Sequence, residues 1–324
     1  MTMFSLRLKW WKRGLALKSI ARAAAVFRGI DPRAERGVAV LIVLWLMVLL
    51  AGVVAASGLT ARSETRATQN MMVEAQARQA AQAAIVVAAL GLFDPQPSFD
   101  AHAGRRLVID VAETTVDITV REECGKIDLN TGWAALIVGL FTAAGPHGEG
   151  ARAAQAVLDW RDPDQRPRPG GAEDPDYRAA GLPYGARDGM FESIEELWQV
   201  KGVTPALVAK VAPDLTIDCL NAGVDPLAAS PAVLAAVPNL AASSLAPFVA
   251  AREDYLSGRS PTPPILAGGD PYLEPSAGTA FSIVAEVKRP IRLRWEAVVV
   301  LSGDAQRPLQ VRAWRRPLSD ALAE

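Results

Sequence analysis

Histidine and cysteine are scarce in this chain of 324 residues, with two of each. Cys124 and Cys219 lie ninety-five positions apart, and neither pairing with His102 nor His147 makes zinc-ligand spacing. No Gly-x-Ser-x-Gly elbow, phosphate loop or dinucleotide fingerprint occurs. These absences remove the common routes to catalysis, and a structural or assembly role is the expectation; the chain reads as a non-enzyme. Net basic charge is also missing beyond the N-terminus. The whole chain carries −1, and residues 1–37 contain nine basic and two acidic side chains, so the remainder stands at about −8. A mildly acidic body argues against nucleic acid as the main partner, because phosphate binding needs a basic face.

What is present begins with charge segregation. Arg7, Lys9, Lys12, Arg13, Lys18, Arg22, Arg28, Arg33 and Arg36 face only Asp31 and Glu35. Nineteen residues without a charge follow, Val38 to Ala56, enough to cross a bilayer as a helix. By the positive-inside rule the leader stays cytoplasmic and the rest is exported. The stretch from Ser57 to Leu92 has no proline and is rich in alanine and straight side chains, so one helix of about 80 Å is expected over Val38–Leu92, ended by Asp94-Pro95 and Pro97. A basic leader ending in Arg36-Gly37 before such a helix suggests a pilin-type precursor. A plain membrane anchor fits the hydrophobicity as well. A secretory signal cleaved near Ala55-Ala56-Ser57 needs a shorter apolar core than this one.

Two β regions flank a helical block. Residues 105–120 alternate as a hairpin about Ala112-Glu113-Thr114, and three strands, Ala280–Val287, Ile291–Leu301 and Leu309–Trp314, close the chain. Between them, helices are expected at 131–144, 150–160, 192–200, 204–212, 230–236 and 241–256. An isolated hairpin is marginal in water, so a helical domain inserted into one sheet is favoured over three separate domains. Within the block, Cys124-Gly-Lys-Ile-Asp-Leu-Asn130 is echoed by Ile217-Asp-Cys-Leu-Asn221. On the exported side, the two cysteines form either a disulfide or two separate buried thiols.

Polar chemistry concentrates in Asp159-Trp-Arg-Asp162-Pro-Asp164 and Gly170-Gly-Ala-Glu173-Asp174-Pro-Asp176-Tyr177: six carboxylates against three arginines. Such a loop suits a hard cation such as calcium, which takes six to eight oxygen ligands, although the spacing is not that of an EF-hand. It reads equally as a solvated loop whose aspartates cap helices and pair with Arg161, Arg166 and Arg168. Separately, Leu197-x-x-Val200-Lys-Gly202-Val203-Thr resembles a helix-hairpin-helix turn, which would make the protein a membrane-tethered DNA receptor. Glu192, Glu195 and Glu196 beside that turn oppose phosphate binding.

Taken together, Arg36-Gly37-Val-Ala-Val, Gly125-Lys-Ile-Asp-Leu-Asn130, Leu158-Asp-Trp-Arg-Asp162-Pro-Asp164, Gly171-Ala-Glu-Asp-Pro-Asp-Tyr177 and Phe191-Glu-Ser-Ile-Glu-Glu-Leu197-x-x-Val-x-Gly202 resemble the minor pseudopilin K family of the type II secretion system. The resemblance covers roughly residues 36–300. It implies an α+β fold: a leader over 1–37, a transmembrane and extended pilin helix over 38–92, and a pilin-like antiparallel sheet from 93–127 and 272–316. A large α-helical domain, 128–271, is inserted into that sheet, and 317–324 form a tail. It further implies cleavage by the prepilin peptidase after Gly37 and methylation of Val38. The fifth residue of the mature chain is then Ile42, where most pilins carry a glutamate; its absence fits a subunit at the filament tip. Minor pseudopilins I and J, the inner-membrane assembly platform and membrane lipid are the implied partners. Calcium is the implied metal, with Asp162, Asp164, Glu173, Asp174 and Asp176 as candidate ligands. The implied location is the inner membrane, single-pass, with the bulk in the periplasm.

Overall fold

The computed structural model describes residues 32–93, 105–146, 148–276, 278–302, 304 and 306–317; the side chains of 32–37, 55–65 and 105 are outside that description. The leader before Pro32, the expected helix stop at Asp94–Pro97, both histidines and the tail after Pro317 therefore lie outside the described residues.

The chain divides into two compact units, residues 1–71 and 72–324. Helix α1, Pro32–Gly91, contributes to both. In the first unit the side chains from Val38 to Val54 are all exposed. Among the described residues no helix is long and apolar enough to cross a membrane. The expected span, Val38–Ala56, runs past the last side chain described in this part of α1.

In the second unit five strands form one antiparallel sheet, each hydrogen-bonded to the next in chain order. Its strands are β1 (Arg105–Val111), β2 (Thr114–Glu122), β5 (Ala280–Val287), β6 (Leu293–Leu301) and β7 (Leu309–Arg315). β2 and β5 are hydrogen-bonded neighbours, with Val120 opposite Ile283, although the whole helical block separates them in sequence. The block is thus an insertion into one sheet. The second of the three expected closing strands starts at Leu293 rather than Ile291, because residues 288–292 form the turn around Arg289-Pro290.

Period-two alternation decides what each face does. Val116, Ile118 and Val120 point one way, together with Ile283, Ala285, Val287, Ala297 and Val299. Ala77, Ala80, Ala81, Ala84, Ile85 and Ala88 of α1 recur at helical spacing and cover that face. Alanine lets the helix backbone come close, so burial here is broad and shallow.

The inserted region contains β3 (Ile127–Asp128), α2 (Ala134–Ala144), α3 (Glu149–Arg161), α4 (Asp174–Ala179), α5 (Pro205–Val211), β4 (Leu215–Thr216), α6 (Pro231–Ala236) and α7 (Ala242–Leu256). A separate core fills it, with Phe141, Trp160, Tyr177, Leu197 and Leu234 among the buried side chains. The helix expected from residue 131 starts at Ala134, because the Asp128 carboxylate accepts the N–H groups of Asn130 and Thr131 and holds a turn there. The helix expected at 192–200 is only a 3-10 turn, Ile194–Trp198.

The two echoed segments meet. β3 and β4 pair in parallel, Ile127 with Leu215 and Asp128 with Thr216. Cys124 and Cys219 are joined as a disulfide, Cα atoms 5.0 Å apart. Gly125 lies beneath Ala228, where a Cβ would stand 2.4 Å from the Ala228 carbonyl. A side chain at 125 would push that loop away.

Candidate functional site

The acidic loop is organised around Asp159, which is fully buried in the last turn of α3. Its carboxylate accepts the backbone N–H of Ala172 at 2.9 Å, that of Arg168 at 3.1 Å, and the Arg168 guanidinium at 2.7 Å. These bonds close residues 162–172 into a loop. Gly171 must be a glycine there, because a Cβ would lie 1.9 Å from Asp159 Oδ2. Arg161, next in sequence, turns the other way. Its guanidinium donates to the carbonyls of Leu129, Asn130 and Gly132 at 2.6, 3.2 and 3.1 Å.

Closing the loop brings together Asp162 at the end of α3, Asp164 beyond it, and Glu173 at the start of α4. One carboxylate oxygen from each lies within 4.8 Å of the others. Glu173 is buried and neither of its oxygens has a hydrogen-bond partner among the described residues; Asp162 Oδ1 is in the same condition. Burial, and then the charges of Asp159, Asp162, Asp188 and Asp164, push the Glu173 carboxyl up to about 7. Arg168 offsets part of the charge through ion pairs with Asp159 and Asp162. Three convergent carboxylates, two of them with orphaned buried oxygens and the third, Asp164, exposed, match what a hard divalent cation requires.

Two of the five sequence candidates are engaged elsewhere. Asp174 pairs with Arg178 at 2.5 Å. Asp176 accepts the Glu173 N–H at 3.1 Å and lies 3.6 Å from the Lys201 ammonium. Both therefore serve the first turn of α4. Sequence reasoning gave Asp159 no separate role and missed Asp188. Asp188 has a left-handed backbone (φ 56) and accepts a hydrogen bond from Gln165 at 2.8 Å. Burial, with the charge of Asp174, raises its carboxyl.

Aromatic rings support the loop from beneath. Trp160 contacts Tyr177, Tyr184 and Phe191 at centroid separations of 5.7, 6.4 and 6.5 Å. Asn130 accepts the Phe191 N–H at 2.7 Å and returns a bond to the Phe191 carbonyl at 3.0 Å. The Tyr177 hydroxyl accepts the N–H of Lys201, and the N–H of Val203 goes to Val200. Those donors belong to the glycine turn at Gly202 that looked like a DNA-phosphate grip. They are consumed inside the protein, which weakens the DNA reading.

Residues 129–217 match the family model described as Type II secretion system (T2SS), protein K. The resemblance to protein K of that system holds. The fold agrees with it: a chain of the crystal structure of the GspK-GspI-GspJ complex from the enterotoxigenic Escherichia coli Type 2 Secretion System superposes with a TM-score of 0.56 at 16% identity. That match covers 78% of this chain and 99% of the other, so the likeness is one of fold over nearly the whole relative. No curated protein matches the chain by sequence. The protein K match encloses α2, α3, the acidic loop and α4 together, and the supporting residues Asn130, Asp159 and Phe191 with them.

Of the remaining sequence candidates, Gly37 and Val38 lie within the backbone of α1, and the Val38 and Ile42 side chains are exposed in the first unit.

Proposed function

We propose that this chain is a minor pseudopilin of type II secretion, seated at the tip of the periplasmic pseudopilus. One observation carries the reading. A helical domain that matches protein K lies between the neighbouring strands β2 and β5 of a sheet packed on a long helix. A body of that size beside the pilin-like sheet obstructs the stacking of a further subunit above it. The complex then begins at this chain and grows beneath it.

The partners in this proposal are minor pseudopilins I and J, whose counterparts accompany the similar fold. Surface chemistry supports helix-to-helix packing with them. Val86, Val87 and Leu90 on α1, with Phe93 just past its end, are exposed although their neighbours Ala84, Ile85, Ala88 and Ala89 are buried on the sheet. An apolar stripe of this kind suits a second helix. At the N-terminus, Gly37 is the cleavage point for the prepilin peptidase and Val38 the methylated residue. Val38–Ala56 crosses the inner membrane beside the assembly platform, and Ile42 stands where a shaft subunit would carry a glutamate. A carboxylate within a bilayer needs a compensating partner, and a tip subunit has no amine above it to compensate.

Calcium belongs to the proposal as a structural ion held by Asp162, Asp164 and Glu173. It would supply the positive charge these carboxylates lack and fix the α3–α4 connection. No catalytic step is assigned to the site.

Mass spectrometry of the mature N-terminus tests the class. A methylated Val38 is the expected result. An intact leader would make the protein a plain anchor, and a start near Gly58 would make it a cleaved secreted protein. Co-purification of the membrane-extracted chain with I- and J-type subunits tests the assembly. Failure to recover either subunit would remove the tip assignment and leave the processing result standing.

A further inference from the structure

Two hydrophobic cores fill the second unit and share no residue: one lies in the inserted domain, the other between α1 and the sheet. The two bodies are joined by chain and by polar contacts rather than by a common core. Two segments connect them, the passage from β2 into Glu123 and the passage from Ser276 into β5. Both are tied to buried Asp225 of the inserted domain. Its N–H goes to the Cys124 carbonyl at 2.8 Å, and its carboxylate accepts the Ser276 N–H at 2.8 Å. On the sheet side Gly278 has φ 67, a backbone that other residues take up poorly. A cavity of about 120 Å³ is left between the sheet and the Ala212–Leu215 turn, which thins the dispersion contacts across the junction.

Three arginines of the sheet reach carboxylates of the inserted domain. Arg121 of β2 meets Asp214 at 3.6 Å, close to the connection itself. Arg312 and Arg315 of β7 meet Asp218 and Glu195, each at 3.3 Å. β7 lies two strands beyond β5, about 10 Å away at roughly 4.8 Å per strand, so its pairs act on a longer arm. Arg312 reaches its partner from a bulge. Its neighbours Val311 and Ala313 pair with Val299 and Val298, which leaves the residue between them outside the ladder. A bulge re-aims a side chain in this way. Arg315 is also held by Glu296 of β6 at 3.0 Å and so meets Glu195 from a fixed position. Part-exposed pairs of this kind are individually weak and are screened by salt.

We propose that the inserted domain is a hinged body, latched to the sheet by Arg312–Asp218 and Arg315–Glu195 and able to swing about the two segments that meet at Asp225. A hinge places its φ/ψ change in a few residues at the ends of elements, here the end of β2 and the run from Ser276 through Gly278 into β5. The buried Lys126 bonds Ser282 of β5 at 3.1 Å, a tie that lies at the pivot and survives the swing. Opening breaks the two pairs on β7 and leaves each hydrophobic core intact, because neither core crosses the junction. The device does not depend on the secretion assignment.

The test is a pulsed electron paramagnetic resonance distance measurement on the full chain in maltoside micelles. Nitroxides are placed at Glu113→Cys in the β1–β2 turn and Glu253→Cys on α7, both exposed positions. Cys124 and Cys219 are joined and take no label. At low salt the parent should give one dominant distance. Arg312→Gln/Arg315→Gln, with its fold checked by circular dichroism, should raise the ratio of a second, displaced distance to the first about tenfold, the combined size of two part-exposed ion pairs. Lys288→Gln removes a pair with Asp117 that lies within the sheet and should leave the distribution unchanged. An unchanged distribution in the folded double variant would overturn the latch, as would equal broadening by Lys288→Gln. If the double variant unfolds, the parent in about 1 M sodium chloride decides: the displaced distance should grow as the pairs are screened, and a fixed distribution would sink the proposal.

Discussion

Glu173 and Asp162 face each other across the acidic loop, with both Glu173 oxygens and one Asp162 oxygen buried and without a hydrogen-bond partner among the described residues. Such an arrangement is unfavourable by itself and favourable around a cation, so stability should depend on calcium in a particular way. Adding calcium to the full chain in detergent should raise the melting temperature, and chelation should lower it. Glu173→Gln should abolish the response. In chelator the same variant should be more stable than the parent by about 1 kcal/mol, because one of the clustered charges is gone. A melt insensitive to calcium in the parent chain would remove the ion from the reading.

Asn130 is the pivot beneath that loop. Two bonds to the Phe191 main chain run through one side chain, across sixty-one residues of sequence. Asn130→Ala should leave a buried N–H and C=O of Phe191 unsatisfied and cost about 2 kcal/mol in denaturant unfolding. Asn130→Asp keeps an acceptor for the Phe191 N–H and should cost less. Equal losses in the two variants would mean that the bonds do not set the effect.

Acid should weaken the junction between sheet and inserted domain through Glu123. Burial pushes its carboxyl up, but Lys126 and the hydroxyls of Thr216 and Ser282 outweigh that and hold it below the ordinary 4.5. A carboxyl with a depressed folded-state pKa contributes stability that is fully present above its unfolded value and is lost as pH falls through the folded value. Unfolding free energy should therefore drop below about pH 4.5, and Glu123→Gln should be less stable near neutrality with a flatter acid limb. Parallel acid limbs in parent and variant would assign the drop to other groups.

The fold was legible where a period repeats. Strand β2 alternates, with Val116, Ile118 and Val120 buried between less buried neighbours, and Ala280–Val287 and Leu309–Arg315 match their expected bounds to within a residue. Helix α4 escaped notice, as six residues in a loop rich in proline and glycine are too short to show a helical period. The β3–β4 pair is two residues long and its partners are eighty-eight positions apart, so only the echoed segments hinted at it. Clustered acid was visible in the sequence, but its division was not. Asp159, Asp162 and Asp164 differ in burial and partners only after Arg168 and Gly171 close the loop. Asp188 carried no signal at all, since its backbone conformation and Gln165 contact are tertiary facts.

The disulfide between Cys124 and Cys219 gives the most direct control over the inserted domain. It joins the segment leading out of β2 to the segment after β4, closing a loop with a sequence separation of 95. In the chain-entropy picture a loop of that length stabilises by up to about 4.7 kcal/mol, through restriction of the unfolded chain more than through native contacts. The β3–β4 pairing and the bond from Leu220 N–H to Asp128 run beside it and remain when the bond is cut. Cys124→Ser/Cys219→Ser should therefore fold with the same circular dichroism and unfold at a denaturant midpoint lower by an amount equivalent to about 3–4 kcal/mol. Reduction of the parent should reproduce that shift, since the constraint removed is the same. A reduced parent and a double-serine variant that differ in midpoint would point to packing at the serine sites, and an unchanged midpoint in both would show that the bond constrains nothing the unfolded chain explores.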